Sequence, residues 1–261
     1  MSPLGIVIVG TGMIGAVHRR AALLAGAQVR GVVGSSPARG EEAARAWNLP
    51  RAYRDLDEAL ADPQVQVVHV CTPNHLHRPM AQAALESGRH VICEKPLATT
   101  LDDAQALADL AAATGLVATV PFVYRYHPVV REARARIADG ELGPLRLIHG
   151  SYLQDWLLDP ASNNWRVDPK LGGASRAFAD IGSHWCDLVE WVGGERFAEV
   201  SAAFETVITE RGTSTGESFA TPAAGGALQA VSSEDVAAAL FKTKRGTLAT
   251  LTVSQVSAGR H

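Results

Sequence analysis

The apolar run Leu4-Gly5-Ile6-Val7-Ile8-Val9 passes directly into Gly10-Thr11-Gly12-Met13-Ile14-Gly15, and an Ala- and Leu-rich stretch follows at once. An unbroken run of β-branched residues predicts a strand buried on both faces, and the stretch after the glycines carries a helical pattern. A strand that ends in GxGxxG and opens a helix narrows the choice of fold sharply. Gly10 permits a tight turn, and Gly12 lets backbone amides approach a diphosphate. Gly15 lets the helix lie close to the strand while its N-terminus faces the anion. The glycine pattern alone also fits a ligand-free turn; its place between strand and helix favours a dinucleotide site at Gly10, Thr11, Gly12, Met13, Ile14 and Gly15.

The same grammar continues to about Val120. VRGVVG, VQVVHV, HVIC and VATV alternate with EEAARAW, MAQAALESG and LDDAQALADLAAATG. Strands separated by helices predict a parallel sheet covered on both faces, an α/β domain over residues 1–122. After Tyr124 the order changes to a helix from Pro128 to Ala138, a strand LRLIHGSY, a polar loop over 154–173 and a helix near Asp180. Strand-like runs then follow one another around 198–209, 233–242 and 247–256. Strands without intervening helices predict a second domain, 123–261, of α+β type on a mostly antiparallel open sheet. The Gly-, Ser- and Thr-rich stretch 211–226 reads as a mobile hairpin connection.

With 261 residues, of which 47% are hydrophobic, the chain can bury cores for two domains. Its formal charge of −3, with Lys and Arg scattered, gives no footprint for nucleic acid or an anionic membrane. No cationic leader and no run of about 18 apolar residues is present, so a cytoplasmic location is expected. Cys71, Cys93 and Cys186 lack CxxC spacing and read as core residues, with neither a disulfide framework nor a metal site implied.

The acidic residue expected about 20 positions beyond the glycines, to hold a ribose 2′-hydroxyl, is missing. The second strand ends instead in Gly34-Ser35-Ser36, with Arg39 close by. Two hydroxyls and a guanidinium suit a 2′-phosphate, which favours NADP over NAD; otherwise Arg39 is a solvated residue at a helix start.

CTPNHLH (71–77), HVICEKPLA (90–98), VPFVYRYHP (120–128) and GGASRAFADIGSHWCDLVEW (172–191) occur in that order. In these motifs the chain resembles the Gfo/Idh/MocA family, the glucose-fructose oxidoreductase and inositol dehydrogenase group. The combination of EKP with a later DxGxH is far more specific than the glycine loop. The resemblance implies an N-terminal Rossmann domain and a C-terminal domain whose open sheet often joins subunits into a dimer or tetramer. It also implies hydride transfer between nicotinamide and a sugar, polyol or related hydroxylated carbon. Members usually continue well beyond SQVSAGRH, so the last strands and a C-terminal helix are expected to be missing.

The ligand of an open parallel sheet lies beyond the carboxyl ends of its strands, and CEKP ends the fifth strand, so Lys95 is expected at the nicotinamide. The resemblance suggests a cis bond between Lys95 and Pro96. Asp180 and His184, four apart at a helix start, share one face. Ile181, Trp185, Leu188 and Val192 form the adjoining apolar stripe. An imidazole titrates near neutrality, which makes His184 a candidate general base, with Asp180 orienting His184 or Lys95 and Lys95 polarising the substrate oxygen. Lys95 and His184 remain alternatives as proton carrier, and without the family match Asp180 also fits a helix cap beside a surface histidine.

Thr72, Pro73, Asn74 and His77 are expected along the cofactor, and Glu94 resembles the family residue on the nicotinamide-side ribose. Arg125, Trp165 and Arg166 match family positions near cofactor or substrate. Gln154, Asp155, Asn163 and Asn164 offer neutral and acidic hydrogen-bonding groups to a hydroxylated substrate. Two other readings stay open. In one, a tightly bound cofactor is used transiently in a net hydrolysis or epimerisation; in the other, the scaffold senses nucleotide without catalysis.

Overall fold

In the computed structural model, which describes residues 2–213 and 227–259, the opening apolar run forms β1 (Gly5–Val9), buried along its whole length. The chain divides into two units, Met1–Pro121 and Phe122–His261. The first continues with α1 (Met13–Leu24), β2 (Gln28–Val33), α2 (Pro37–Ala46), β3 (Ala52–Tyr53), α3 (Leu56–Ala61) and β4 (Val67–Val70). It ends with α4 (His77–Glu86), β5 (His90–Cys93), α5 (Leu101–Thr114) and β6 (Ala118–Thr119). All six strands are parallel, in the order β3-β2-β1-β4-β5-β6. This is the doubly wound order that reverses beside β1.

Alternation along the strands builds one core on each side of the sheet. Val7, Val9, Val68, Val70, Val91 and Cys93 pack with Ala81, Ala84, Leu85 and Leu107. Ile6, Ile8, Val32, Val67 and Cys71 pack with Ala22 and Ala43 on the other side. The helices start where the sequence supplies caps: Ser36, Asp55 and Thr100 accept the amides of Arg39, Glu58 and Asp103.

The second unit contains α6 (Pro128–Ala138), β7 (Leu147–Leu153), α7 (Pro169–Gly172), a π-helical turn over Phe178–Gly182, and α8 (Ser183–Gly193). They are followed by β8 (Phe197–Glu205), β9 (Glu210–Gly212), β10 (Leu228–Ala230), β11 (Val236–Thr243) and β12 (Leu248–Ser254). Its main sheet runs β7-β12-β11-β8. β8, β11 and β12 pair antiparallel, whereas β7 joins β12 in parallel. One face packs on Ile181 and Trp185 through Ala237, Ala239, Phe241, Ala249, Leu251 and Val253. The other face is open, and Leu240 and Leu248 on it are both 47% exposed. β9 and β10 form a separate antiparallel pair. The connection read as a mobile hairpin lies, over 214–226, outside the described residues. Among the described residues no helix is long and apolar enough to cross a membrane.

A buried charge cluster holds the second unit together. Asp235 accepts from the guanidinium groups of both Arg176 and Arg211, all three side chains having 0% exposure. Its second oxygen takes the Ile208 amide at 2.7 Å. Burial pushes the Asp235 carboxyl up, but the Ile208 amide and the two cations outweigh it and hold it below its usual range. A carboxylate whose pKa is depressed on folding contributes stability above its unfolded value, about 3.9, and loses it as pH falls through the folded value. Asp235→Asn is therefore expected to cost about 3–5 kcal/mol near pH 7. In urea melts across pH, the difference from wild type should shrink below about pH 4.

Candidate active site

Gly10 has φ +117°, and a Cβ on it would lie 2.3 Å from the Cys71 carbonyl oxygen. A Cβ on Gly15 would lie 2.3 Å from the Gly10 carbonyl oxygen. Packing within the protein therefore demands both glycines. Gly12 is different. Its φ of −76° is open to any residue, and a Cβ there would meet nothing within 4 Å. It caps α1 without a side-chain hydrogen bond, so the space above it suits close approach of a diphosphate to the helix N-terminus. Thr11 precedes it, Met13 is 56% exposed, and Ile14 packs inward on the core beside Ala22. At the end of β4, the Thr72 hydroxyl is buried with no protein partner. A polar atom of that kind and a glycine with no packing reason fit a dinucleotide cofactor.

At the end of β2, the Ser36 hydroxyl accepts the Arg39 amide at 3.3 Å and caps α2. Arg39 itself pairs with Glu42 at 3.3 Å, both well exposed, and Ser35 lies exposed beside them. Beyond β4, Pro73 and Asn74 lead into a single 3₁₀ turn. His77, 1% exposed, sets one ring nitrogen 2.7 Å from the Pro96 carbonyl and the other 2.9 Å from the Thr72 carbonyl. Burial holds its pKa low, against the pull of those two carbonyls. His77 thus braces the loops after β4 and β5 from within.

Glu94, 8% exposed, accepts a hydrogen bond from His18 Nε2 on one oxygen at 2.9 Å and from the Lys95 amide on the other at 3.2 Å. Burial pushes its carboxyl up, but the His18 hydrogen bond and charge and the Lys95 ammonium outweigh it and keep it ionised. Lys95 is half-buried, and its bond to Pro96 is cis.

In the second unit, Asp180 sits in the π-helical turn and His184 in the first turn of α8. The sequence spacing assumed one regular helix; the wider turn around Asp180 departs from the 3.6-residue period, and such turns recur at functional sites. Asp180 does not cap α8, whose N-cap is Gly182. Its oxygens accept from Arg166 Nε at 3.3 Å and from Gln255 Nε2 at 2.9 Å. Arg166 also donates to Asn164 Oδ1 at 3.0 Å and lies 4.4 Å from the Trp165 ring centroid. The His184 ring lies 5.1 Å from that of Tyr124 and 5.8 Å from that of Phe122. Tyr124 shares a 2.7 Å hydroxyl contact with Tyr152, whose phenol is pushed up by burial and by Tyr124.

Residues 4–122 match the oxidoreductase family with an NAD-binding Rossmann fold, and residues 130–261 match the Gfo/Idh/MocA C-terminal domain. The chain belongs to the Gfo/Idh/MocA oxidoreductase family. Levoglucosan dehydrogenase of Pseudarthrobacter phenanthrenivorans is 36% identical over 221 residues, 81% of this chain and 56% of that protein. The structure of an oxidoreductase domain protein from Kribbella flavida is 35% identical with a TM-score of 0.91, covering 100% of this chain and 70% of the other. A levoglucosan dehydrogenase in complex with NADH and levoglucosan is 31% identical with a TM-score of 0.88, covering 100% and 69%. The chain spans about half the length of the curated relatives it matches, 56% and 52% of the first two.

Within this Gfo/Idh/MocA chain, several polar residues singled out from sequence are engaged by the protein itself. Asn163 donates to the Gly212 carbonyl at 2.6 Å and accepts the Asn164 amide at 2.8 Å. The Gln154 side-chain Oε1 accepts from Trp156 Nε1 at 3.0 Å, and Asp155 is half-buried beside them. Arg125 forms a two-pronged pair with Asp187, its Nε 2.7 Å from the carboxylate. Tyr152 and Gln255 were not singled out by sequence. β7 pairs with β12 in the register Tyr152↔Val253 and Leu153↔Ser254, which sets the two residues on the same ends of adjacent strands, and no local pattern records such a pairing.

The two kinds of glycine make a contrast that can be measured. Gly12→Ala should fold as wild type, while its dissociation constant for NADH, followed by fluorescence, rises by at least about tenfold. Gly10→Ala should instead lose about 1–3 kcal/mol of stability in a denaturant melt.

Proposed function

We propose that the chain forms the catalytic part of an NAD(P)-dependent oxidoreductase that exchanges a hydride with a hydroxyl or keto carbon of a sugar or polyol. The observation that carries this reading is Gly12: neither its backbone angles nor its surroundings call for glycine, whereas a diphosphate on α1 does. Similarity to enzymes named for levoglucosan and 1,5-anhydro-D-fructose supports the substrate class. When bound, the nicotinamide supplies the hydride acceptor or donor.

The chain's own residues then have the following parts. Gly10, Thr11, Gly12, Met13, Ile14 and Gly15 receive the diphosphate, with the Thr72 hydroxyl, Pro73 and Asn74 along the cofactor. Lys95 donates to the reacting oxygen and polarises it. His184 accepts the hydroxyl proton at a ring nitrogen and returns it in the reverse direction. Asp180, held on both oxygens by Arg166 and Gln255, supplies a fixed negative charge that favours the protonated form of the base. The open face of the β7-β12-β11-β8 sheet is the surface we assign to contact with a second copy.

A panel of sugars and inositols with NAD and NADP, followed by absorbance of the reduced nicotinamide, tests the reaction. Lys95→Met and His184→Asn should each lower kcat about 10²–10⁴-fold while NADH still binds; unchanged turnover in either variant removes its assigned role. A cofactor that co-purifies and is never consumed would instead indicate transient redox in a net hydrolysis or epimerisation.

The preference for NADP rests on Ser35, Ser36 and Arg39. An exposed ion pair such as Arg39–Glu42 contributes only about 0–1 kcal/mol, so turning Arg39 towards a 2′-phosphate costs little. Arg39→Ala should raise the dissociation constant of NADPH by about tenfold and leave that of NADH unchanged. Equal effects on both cofactors would remove the preference.

A further inference from the structure

We propose that His18 is a positioning residue for the loop that carries Lys95. With His69 behind it, His18 forms a buried chain of two imidazoles and a carboxylate that ties Glu94 to the cofactor helix α1. This rests on the reading of Lys95 as a catalytic residue.

His18 lies on the inner face of α1, His69 on β4, and Glu94 just beyond β5; they are 7%, 4% and 8% exposed. His18 Nε2 stands 2.9 Å from Glu94 Oε1, and His18 Nδ1 stands 3.1 Å from His69 Nδ1. The rings meet edge to face, 83° apart. A carboxylate only accepts, so His18 Nε2 must carry a proton. The two Nδ1 atoms must share one more, because two lone pairs or two N–H groups at that distance repel. Burial, and then the charge of His18, pushes the His69 pKa down to about 3, so His69 stays neutral over the working range. Two proton arrangements satisfy these conditions. In one, His18 is neutral and accepts from His69; in the other, it is an imidazolium that donates to both neighbours. In both, His18 Nε2–H donates to Glu94.

The other Glu94 oxygen accepts the Lys95 amide, so one carboxylate spans from a ring on α1 to the backbone of Lys95. Around this chain the core is apolar, with Ile6, Ile8, Ala22 and Val67, and the outer His69 Nε2 is buried without a partner. Apolar side chains would fill such a place with less desolvation. Two histidines and a glutamate there are accounted for by what they hold: the residue next to Glu94 is Lys95. The helix that receives the diphosphate and the loop that presents the ammonium are thereby fixed to each other within the first unit.

Two polar substitutions of similar packing separate this role from a merely structural one. His18→Gln places its amide nitrogen near the former Nε2 and still reaches Glu94. His18→Asn places it near the former Nδ1 and reaches only His69. Each is measured for thermal stability, NADH affinity, and kcat and KM with NAD and whichever sugar or inositol of the panel wild type turns over fastest. His18→Asn is expected to lose about 10- to 100-fold in kcat through misplacement of Lys95, with KM and NADH affinity within about threefold of wild type. His18→Gln should recover most of the loss. Equal kcat in the two variants overturns the proposal, whether both are active or both impaired. Lys95→Met is run beside them. If it keeps wild-type turnover, the role of Lys95 fails and the inference falls with it; if it is inactive while the two His18 variants agree, only the role of His18 fails.

Discussion

The contact between Gly10 and the carbonyl of Cys71 is the constraint from which the rest of the first unit follows. β1 and β4 lie side by side at the point where the strand order turns back, and the missing side chain at Gly10 lets the turn after β1 sit directly on the end of β4. That closeness gathers the start of α1, the Thr72 loop and the Glu94–Pro96 loop at one edge of the sheet, where neither flanking connection covers them. Internal contacts then fix the group: His77 sits between the Thr72 and Pro96 carbonyls and, as a neutral ring, donates to one of them, and Glu94 joins His18 to the Lys95 amide.

What was legible in the sequence is what local pattern encodes. The glycine loop, the alternation of strand and helix, and CEKP at a strand end all depend on residues close together in the chain, and the structure keeps them where the pattern puts them. Ser36 has a part that its place after β2 alone did not record: its oxygen accepts the Arg39 amide and caps α2, while the hydroxyl proton is still there to donate. Asn163 is a similar case. A polar residue in a polar loop suggests a substrate contact, and the pattern does not record that its amide also serves the Gly212 carbonyl and the Asn164 amide.

Other features were beyond local reading for a different reason. His18, His69 and Glu94 lie on three separate elements, and their meeting depends on strand order and on the depth at which α1 packs. Tyr152 and Gln255 are placed on neighbouring strand ends through a parallel pairing of segments distant in the chain. The π-helical turn at Phe178–Gly182 escapes a search for regular periodicity because it breaks the 3.6-residue period the search assumes.

The surroundings of Asp180 show why such non-local partners matter to chemistry. A lone carboxylate in a half-open position can rotate, and any electrostatic help it gives must first overcome that freedom. Here Gln255 takes one oxygen and Arg166 the other. Arg166 is itself held by Asn164 and by the face of Trp165. A restrained arginine fixes a restrained aspartate, and in the reaction we propose such a carboxylate acts on the base without reorganising as the proton moves.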